Sequence, residues 1–269
     1  MIIVKGYGQM CNNILQYAHM YALGREHGIP VISTRFAYKY RYFPLCHKQY
    51  HNFFVYLFSK LLISTKIIKC FTDENHPEDF EQQFCHTRLI ASYMWIESRW
   101  PELFLKYREE IKALFEISEK TKQQVKRKMN RPENGIALGL HIRRGDYATH
   151  LGGKFFFSDA QYIQIIRDFA ALHIHQTVKP ITVYICTNDP KLDLDRYKKE
   201  SGVDIRMLRG NRIEDLTNLS LCDYIIGAQS SFSLWAAFYH DLPIYWINPA
   251  DGTLTEDMFK RFADYFCLV

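Results

Sequence analysis

Two adjacent arginines, Arg143 and Arg144, are the residues whose types and position point most directly to chemistry. They follow the apolar run 136–140, and a continuous apolar run is typical of a strand buried in a parallel sheet. Open α/β sheets bind their ligands at the carboxyl ends of such strands. Because a guanidinium group can hold two phosphate oxygens at once, the pattern predicts a phosphorylated donor whose leaving group is a diphosphate.

Alternating strands and helices are expected to position these arginines. A breaker cluster at residues 131–135 precedes the regular part of the chain. The strands expected after it are Ile136–Ile142, Ile181–Thr187, Asp204–Leu208, Tyr224–Ala228 and Ile244–Ile247. The expected helices are Ser158–His173, Lys191–Ser201, Glu214–Leu221, Ser231–His240 and Thr255–Phe266. The alternation predicts a doubly wound parallel sheet, and Ser158 with Gln161 predicts a capping box.

The N-terminal part begins with the same pattern. A strand at Ile2–Lys5 is followed by a helix from about Asn12 to His27, and Gly28 is the residue type that ends helices. A second strand after Pro30 and a long polar helix at about Glu102–Met129 are expected later in this half. Two α/β halves, with the arginines entering the second, are typical of a glycosyltransferase with two Rossmann-type domains.

Composition and charge limit the class of protein. The sequence has 269 residues, of which 48% are hydrophobic and 23% charged, and this suits a soluble globular chain and excludes a disordered one. A net charge of +5 suits an anionic ligand or an anionic membrane surface but is too small and unclustered for nucleic acid. Seven cysteines without paired spacing indicate reduced thiols in the cytosol. Residues 1–5 predict a strand instead of a signal peptide.

Two kinds of segment could suggest a metal site. One is formed by Cys46, His47 and His51 together with the pair Cys85-His86, but the spacing matches no common metal signature. The other is Asp193–Asp195, an Asp-x-Asp motif that falls in an expected helix or just before it. We expect neither to bind metal.

The apolar run Phe53–Ile63, followed by Lys66 and Lys69, is open to two interpretations. It fits an amphipathic segment that touches an anionic membrane. It also fits a core helix, which is the commoner role of such a run and our expectation here.

The segment His141–Tyr147 resembles the His-x-Arg-Arg-x-Asp motif of α-1,2-, α-1,6- and protein-O-fucosyltransferases. Its Gly-Asp-Tyr ending makes it most similar to the bacterial α-1,2-fucosyltransferase family, glycosyltransferase family 11. Residues 12–18, 184–190 and 215–237 resemble further motifs of that family, in the same order. This sequence differs from those motifs in having Cys11 for Gly, Asn13 for Gln, Asn188 for Asp and Leu234 for Trp.

The resemblance implies a GT-B-like α/β fold, in which two Rossmann-type domains present parallel sheets across a cleft. Residues 1–130 would form the acceptor-side domain and residues 136–269 the GDP-sugar domain, with the C-terminal helix able to pack back on the first. The implied enzyme is inverting and needs neither metal nor cofactor. It would transfer L-fucose from GDP-fucose to a galactoside hydroxyl, most often in α-1,2 linkage.

The implied acceptor is an oligosaccharide or a lipid-linked glycan in the synthesis of surface polysaccharide or O-antigen. The implied location is the cytoplasm, with possible peripheral contact at the inner face of the cytoplasmic membrane and no nucleic-acid partner. Two alternatives stay open. One is transfer from another GDP-sugar or in another linkage, and the other is an inactive nucleotide-sugar-binding protein.

The resemblance also implies residues of the donor site. Arg143 would hold the donor diphosphate, or else form a structural ion pair with Asp146. His141 shares its face of the strand and would approach the nucleotide, or else be a core residue. Arg144 would make a second phosphate contact or a structural pair. Ser230 and Ser231 would bind phosphate at a helix N-terminus or simply cap that helix.

Four further residues complete the expected site. Asp189 and Asp215 would accept hydrogen bonds from the ribose or the guanine, or else cap helices. His150 is the candidate catalytic base because a histidine suits proton removal near neutral pH, and a solvated loop histidine is the alternative. Asn12 would orient the acceptor or the fucose from the N-terminal half.

Overall fold

The computed structural model describes residues 1–48, 50–72, 74, 80, 82, 89–95, 100–174, 179–248 and 250–266. It divides the chain into two compact units, Met1–Ser118 together with Phe266, and Glu119–Tyr265. Each unit has a parallel β-sheet of its own. No helix in the described part of the chain is long and apolar enough to cross a membrane.

The first unit is built on a four-stranded sheet in the order β2-β1-β4-β3, in which every neighbouring pair is parallel. The strands are β1 (Ile2–Val4), β2 (Val31–Ser33), β3 (Cys70–Thr72) and β4 (Ile90–Tyr93). The helices are α1 (Met10–Glu26), α2 (Phe53–Ser64), α3 (Pro101–Lys106) and α4 (Arg108–Leu114). Gly28 follows α1 at a φ of 65°, a conformation that glycine adopts without strain.

The second unit is built on a five-stranded parallel sheet in the order β7-β6-β5-β8-β9. The strands are β5 (Ile136–Ile142), β6 (Ile181–Thr187), β7 (Asp204–Met207), β8 (Tyr224–Gly227) and β9 (Ile244–Trp246). The helices are α5 (Glu119–Met129), α6 (Asp159–Ile174), α7 (Leu194–Ser201), α8 (Arg212–Ser220), α9 (Ser231–Phe238) and α10 (Phe262–Phe266). The alternation predicted for this half is confirmed.

The strand order places β5 at the centre of the second sheet. From β5 the chain moves outward through β6 and β7 on one side, and then crosses to β8 and β9 on the other. Such a reversal opens a crevice at the carboxyl ends of the two central strands, where doubly wound sheets bind ligands. Gly227 lets β8 approach β5 closely here, because a Cβ atom on it would lie 2.6 Å from the carbonyl oxygen of His141.

The predicted long helix at 102–129 is wrong, because α3, α4 and α5 take its place. Phe115 and Ile117 are buried, and the chain leaves the helical path after α4 to bury them. Helix α5 packs on the second unit through Val125 and Met129, whose neighbours are Ala137, Tyr184 and Cys222. The two units therefore divide before α5.

The predicted C-terminal helix Thr255–Phe266 is also wrong over most of its length. The structure has a 3₁₀ turn at Glu256–Met258 and the short helix α10. Between them Lys260 pairs with Ile244 in an antiparallel bridge, through two main-chain hydrogen bonds of 2.9 Å. This pairing at the edge of the sheet competes with a continuous helix.

Helix α2 contradicts the expectation of a core helix. Val55, Leu62 and Ile63 pack on a small core in the first unit, made of Ile3, Ile32, Ile68 and Ala91. The other side of α2 is exposed, and Phe54 keeps 81% of its surface accessible. The helix is apolar on both sides, and the sheet beneath it covers only one.

Candidate active site

Arg143 lies at the crevice between β5 and β8, immediately after β5. Its guanidinium donates to the Asp146 carboxylate over 2.8 Å and lies 5.4 Å from the centre of the Tyr147 ring. The Asp146 side chain is 60% exposed, and an exposed ion pair of this kind is worth at most about 1 kcal/mol. A diphosphate, with more charge and more acceptor oxygens, can therefore displace Asp146 at little cost.

Tyr147 ties this loop to the next strand of the sheet. Its hydroxyl donates to the main-chain carbonyl of Gln229 over 2.7 Å. Gln229 belongs to the loop between β8 and α9, so one side chain joins the two loops that border the crevice. Sequence reasoning assigned Tyr147 no role, and the signal that could have found it is its place within the arginine motif.

Arg144 points to the other side of β5, as strand alternation predicts. Its guanidinium donates to the Asp159 carboxylate and to the carbonyl of Phe157, and it stacks 4.9 Å from the centre of the Phe156 ring. The side chain is only 11% exposed. These contacts connect β5 with the start of α6 and favour the structural pair of the two roles open to Arg144.

Asn188 reinforces that connection. Its side chain accepts from the main-chain N–H of Arg144 over 2.7 Å and donates to the Arg144 carbonyl over 3.2 Å. The ends of β5 and β6 are thereby fixed relative to each other. The capping box predicted at the start of α6 is confirmed, since Ser158 N–H donates to Gln161 and Gln161 N–H donates to the Ser158 hydroxyl.

His141 is buried beside Arg143, and its ring centre lies 5.3 Å from that of Phe232. Burial, with the nearby Arg143 charge as the smaller cause, lowers the pKa of His141 to about 3. The imidazole is therefore neutral at physiological pH. Its Nδ1 atom is buried and has no hydrogen-bond partner among the described residues. His141 can offer a ligand one hydrogen bond, but it adds no positive charge.

Ser230 and Ser231 lie at the start of α9, on the β8 side of the crevice. Ser230 is the N-cap, and its hydroxyl oxygen accepts from the Phe232 N–H over 3.2 Å. The capping role foreseen for this pair is present. Both serines are only partly buried, so the helix N-terminus is also accessible to an anion.

Asp189 and Asp215 line one cavity of about 220 Å³ at the ends of β6 and β7, together with Arg209 and Gly210. Neither aspartate caps a helix. Asp193 is the N-cap of α7 and Asn211 that of α8, so the capping alternative for Asp189 and Asp215 is wrong. Both carboxyls line the cavity, and one oxygen of Asp189 accepts from the Lys191 N–H over 2.8 Å while the other lies 3.9 Å from the Arg144 guanidinium.

Asp215 is unusual among the acids of this site. Burial raises its pKa to about 7, and the neighbouring Glu214 charge adds to the shift. A carboxyl that titrates near neutral pH within a cavity is a candidate for ligand binding. Asp189 also lines a larger cavity of about 720 Å³, which Arg144, Ser158 and Lys191 border on the α6 side of the sheet.

His150 lies in the second unit and Asn12 in the first. His150 is exposed in a 3₁₀ turn, and its ring centre lies 5.5 Å from that of Tyr147. Asn12 lies in the first turn of α1, and its side-chain amide packs so closely on Gly8 that a Cβ there would lie 2.4 Å from it. The assignment of base and acceptor roles to these residues stays a prediction.

Two polar residues of α1 hold the loop that joins β1 to it. Asn13 is buried and donates to the carbonyls of Tyr7 and Gln9 over 3.2 and 2.7 Å. Gln16 donates to the Tyr7 carbonyl and accepts from the Tyr7 N–H. Sequence reasoning noted Asn13 only as a departure from a motif. Polar residues spaced three apart in an otherwise apolar helix were the available signal.

Two of the candidate metal ligands, Asp193 and His51, have other roles. Asp193 accepts from the Arg196 N–H as a helix cap, and His51 accepts from the Ser33 N–H over 3.0 Å. Among the described residues, no three His, Cys, Asp or Glu side chains are grouped so that they could hold a metal ion. Cys85 and His86 lie outside the described residues.

The model of the Glycosyl transferase family 11 matches residues 3–260. The chain belongs to glycosyl transferase family 11. This confirms the resemblance found in the motifs and makes the protein a glycosyltransferase of the α-1,2-fucosyltransferase family. A search of curated protein sequences found no significant match to this chain.

Solved fucosyltransferases share the fold. FUT1 of Arabidopsis thaliana, a mutant in complex with GDP, is 11% identical with a TM-score of 0.62 over 97% of this chain and 73% of its own. NodZ, an α-1,6-fucosyltransferase soaked with GDP-fucose, is 13% identical with a TM-score of 0.59 over 97% and 98%. The structure of NodZ from Bradyrhizobium is 13% identical, with a TM-score of 0.56 over 91% of this chain and 94% of its own. The predicted GT-B-like α/β fold with two parallel sheets is confirmed.

Proposed function

We propose that the protein transfers L-fucose from GDP-fucose to a galactoside hydroxyl, with O-2 of the galactoside as the attacking oxygen. The observation that supports this most is Arg143 at the switch point of the second sheet, where its guanidinium is paired with the exposed carboxylate of Asp146. That place and that replaceable partner suit a diphosphate. Family membership and the GDP and GDP-fucose complexes of FUT1 and NodZ support the choice of nucleotide.

In this proposal the donor diphosphate bridges the two loops at the crevice. Arg143 binds it in place of Asp146, and the N–H groups at the start of α9, with the Ser230 and Ser231 hydroxyls, bind its other oxygens. The neutral His141 donates or accepts one hydrogen bond. As the bond from fucose C1 to the diphosphate breaks, negative charge grows on GDP, and the Arg143 cation stabilises it. Arg144 positions the loop from the other side of β5.

Guanosine recognition is assigned to the cavity that Asp189 and Asp215 line. An ionised Asp215 can accept two parallel hydrogen bonds from the guanine N1–H and 2-amino group, whereas uracil has no such donor pair. Asp189 would accept from the ribose. The support is that both carboxyls line one cavity and that neither residue is a helix N-cap.

The acceptor hydroxyl attacks fucose C1 from the face opposite GDP, so the configuration inverts. Its proton passes to a base, for which His150 is the candidate near the Arg143 loop, and GDP leaves. Asn12 would orient the acceptor or the fucose from the first unit. Oligosaccharides or lipid-linked glycans of surface polysaccharide are the proposed acceptors. The free cysteines among the described residues, which include Cys11, Cys186 and Cys222, suit synthesis in the cytoplasm.

The experiment that tests this function is incubation of the protein with GDP-fucose and an array of galactosides and lipid-linked glycans, with and without EDTA. We expect GDP release that depends on the acceptor, a product with a new α-1,2-fucosyl linkage by mass spectrometry and NMR, and equal turnover in EDTA. GDP binding without turnover would instead identify a nucleotide-sugar-binding protein. A product from another GDP-sugar or with another linkage would replace the assignment. Activity that EDTA abolishes and Mn²⁺ restores would contradict metal independence and make Asp193 and Asp195 the candidate metal ligands.

A further inference from the structure

Helix α2 carries an apolar stripe on its exposed side. The stripe consists of Phe54, Leu57, Phe58 and Leu61, spaced so that all four share one face of the helix. Their exposed fractions are 81%, 46%, 60% and 57%. Large apolar side chains so exposed and so close together mark an interaction surface.

The exposed apolar residues of the molecule are concentrated at this place. Thirteen large apolar side chains are exposed in the described part of the chain, and nine of them lie between Tyr38 and Ile67. Three of the nine are the tyrosines Tyr38, Tyr42 and Tyr50. The Tyr38 ring packs 4.5 Å from that of Tyr56 on α2, so the preceding segment is continuous with the helix. We call the exposed residues of 38–67 the α2 face.

The sequence segment that contains the α2 face carries charge of one sign. Residues 27–72 contain seven lysines and arginines and no aspartate or glutamate, although the whole chain carries a net charge of only +5. Lys48, Lys60 and Lys66 are all exposed. The segment that carries the apolar stripe is therefore basic, and the acidic residues that follow it in the sequence, between positions 73 and 81, offset its charge in the total.

We propose that the α2 face docks on an anionic lipid bilayer, with the stripe in the headgroup region and the lysines on the lipid phosphates. An exposed apolar stripe that includes aromatic rings, flanked by lysines, suits an interfacial helix. A symmetric dimer through this face would bring two equally basic surfaces together, which argues against a second copy as the occupant. Docking needs no substrate, so this proposal does not rest on the proposed function.

The test is co-sedimentation of the intact protein with vesicles in the absence of nucleotide. Vesicles of phosphatidylcholine with phosphatidylglycerol should bind the wild type, and added salt or pure phosphatidylcholine should weaken that binding. The double variant Leu57→Gln with Leu61→Gln should bind at least about ten-fold more weakly. The matched control, Leu89→Gln with Leu105→Gln, changes two leucines that are also exposed but lie outside the α2 face, and it should bind as the wild type does.

Charge is tested separately with Lys48→Gln, Lys60→Gln and Lys66→Gln together, against Lys120→Gln, Lys126→Gln and Lys199→Gln, which are exposed elsewhere. The first triple should lose about ten-fold or more in affinity for anionic vesicles, and the second much less. A far-UV circular dichroism spectrum and a melting temperature like those of the wild type check that each variant is folded. Vesicle binding that is absent in the wild type, or unchanged in the leucine variant, would overturn the proposal. So would a wild-type dimer in sedimentation velocity that the leucine variant dissolves, since a second copy would then cover the face.

Discussion

Arg143 and Arg144 are neighbours in sequence, yet a lysine should have opposite consequences at the two positions. Arg143→Lys keeps a charge beside the exposed Asp146 but loses the planar fork that spans two phosphate oxygens. We expect an unchanged melting temperature and a kcat/KM for GDP-fucose that falls about 10²–10³-fold, or about 3–4 kcal/mol. Near-wild-type activity would show that Arg143 does not hold the donor.

Arg144→Lys is the comparison, and it should act mainly on stability. Lysine cannot reach both the Asp159 carboxylate and the Phe157 carbonyl as the guanidinium does. A loss of about 1–3 kcal/mol is expected for hydrogen bonds of this kind, or about 2–4 °C of melting temperature per kcal/mol. Calorimetry of both variants separates the two roles. If the Arg144→Lys protein is stable but loses much of its kcat, Arg144 contacts the donor phosphates and its role is not structural.

Asp215 predicts a pH dependence of GDP binding. With a pKa of about 7 in the ligand-free protein, the carboxyl is mostly protonated at pH 6 and mostly ionised at pH 8. If the ionised form accepts from guanine, GDP affinity should rise about ten-fold from pH 6 to pH 8. Calorimetric titration at both pH values measures this, and the buffer should take up the released proton. Asp215→Asn should bind weakly at both, and a persisting rise would assign the titration to another group.

The same carboxyl affects folding, with a sign that follows from its raised pKa. Between about pH 4 and pH 7 the unfolded chain has released the Asp215 proton while the folded protein still holds it. The contribution of Asp215 to the free energy of unfolding is therefore largest at low pH, and it is lost as the pH rises to about 7. Melting temperatures of the wild type and Asp215→Asn should diverge in favour of the variant over this range.

At the scale of elements, Tyr147 links the loop after β5 to the loop after β8. Tyr147→Phe keeps the ring against Arg143 but removes the hydrogen bond to the Gln229 carbonyl. A net loss of about 1 kcal/mol should raise the KM for GDP-fucose about five-fold and leave kcat nearly unchanged.

Tyr17→Phe is the matched control for that variant. It removes a hydroxyl that donates to the Val31 carbonyl over 3.1 Å in the first unit. It should cost similar stability without changing the KM for the donor. Equal KM values for Tyr147→Phe and the wild type would mean that the two loops hold the diphosphate independently.

The sequence predicts those elements whose residue pattern is compatible with one kind of secondary structure only. Strands β5 and β6 match their expected ranges to the residue, because each is mostly apolar, buried along nearly its whole length and followed by polar residues. The helix expected at 102–129 failed because two buried anchors, Phe115 and Ile117, lie in a mostly polar stretch. The prediction that α2 is a core helix was wrong because a helix that is apolar on all sides has the same composition in a core and at a surface.

The candidate site was predictable to a similar degree. The arginine motif gave Arg143 its place at the end of a central strand, and the opposite directions of Arg143 and Arg144 follow from strand alternation. The Arg144 partners Phe157 and Asp159 lie just before α6 and at its first residue, and the Tyr147 hydrogen bond joins segments 82 residues apart. Such long-range pairings have no local signature, so sequence alone could not reveal them.

For the whole molecule, the choice of nucleotide should be visible in thermal stability. A ligand that binds only the folded protein at about 100 times its Kd adds about 2.7 kcal/mol, which is about 5–10 °C for a chain of this size. GDP and GDP-fucose should produce such a shift in a thermal melt. UDP and UDP-galactose should not, because uracil lacks the donors that Asp215 would bind. Equal protection by both families of nucleotide would remove the fucosyltransferase assignment.

The exposed stripe of α2 has a consequence for how catalytic rates would scale. A protein docked through this stripe searches for a lipid-linked acceptor in two dimensions. Its turnover would then depend on the number of acceptor molecules per unit of bilayer area, and diluting the acceptor with inert lipid would slow it at constant bulk concentration. A water-soluble galactoside would show no such dependence. The double variant Leu57→Gln with Leu61→Gln would keep full activity on the soluble acceptor, but it would turn over the lipid-linked acceptor more slowly than the wild type does.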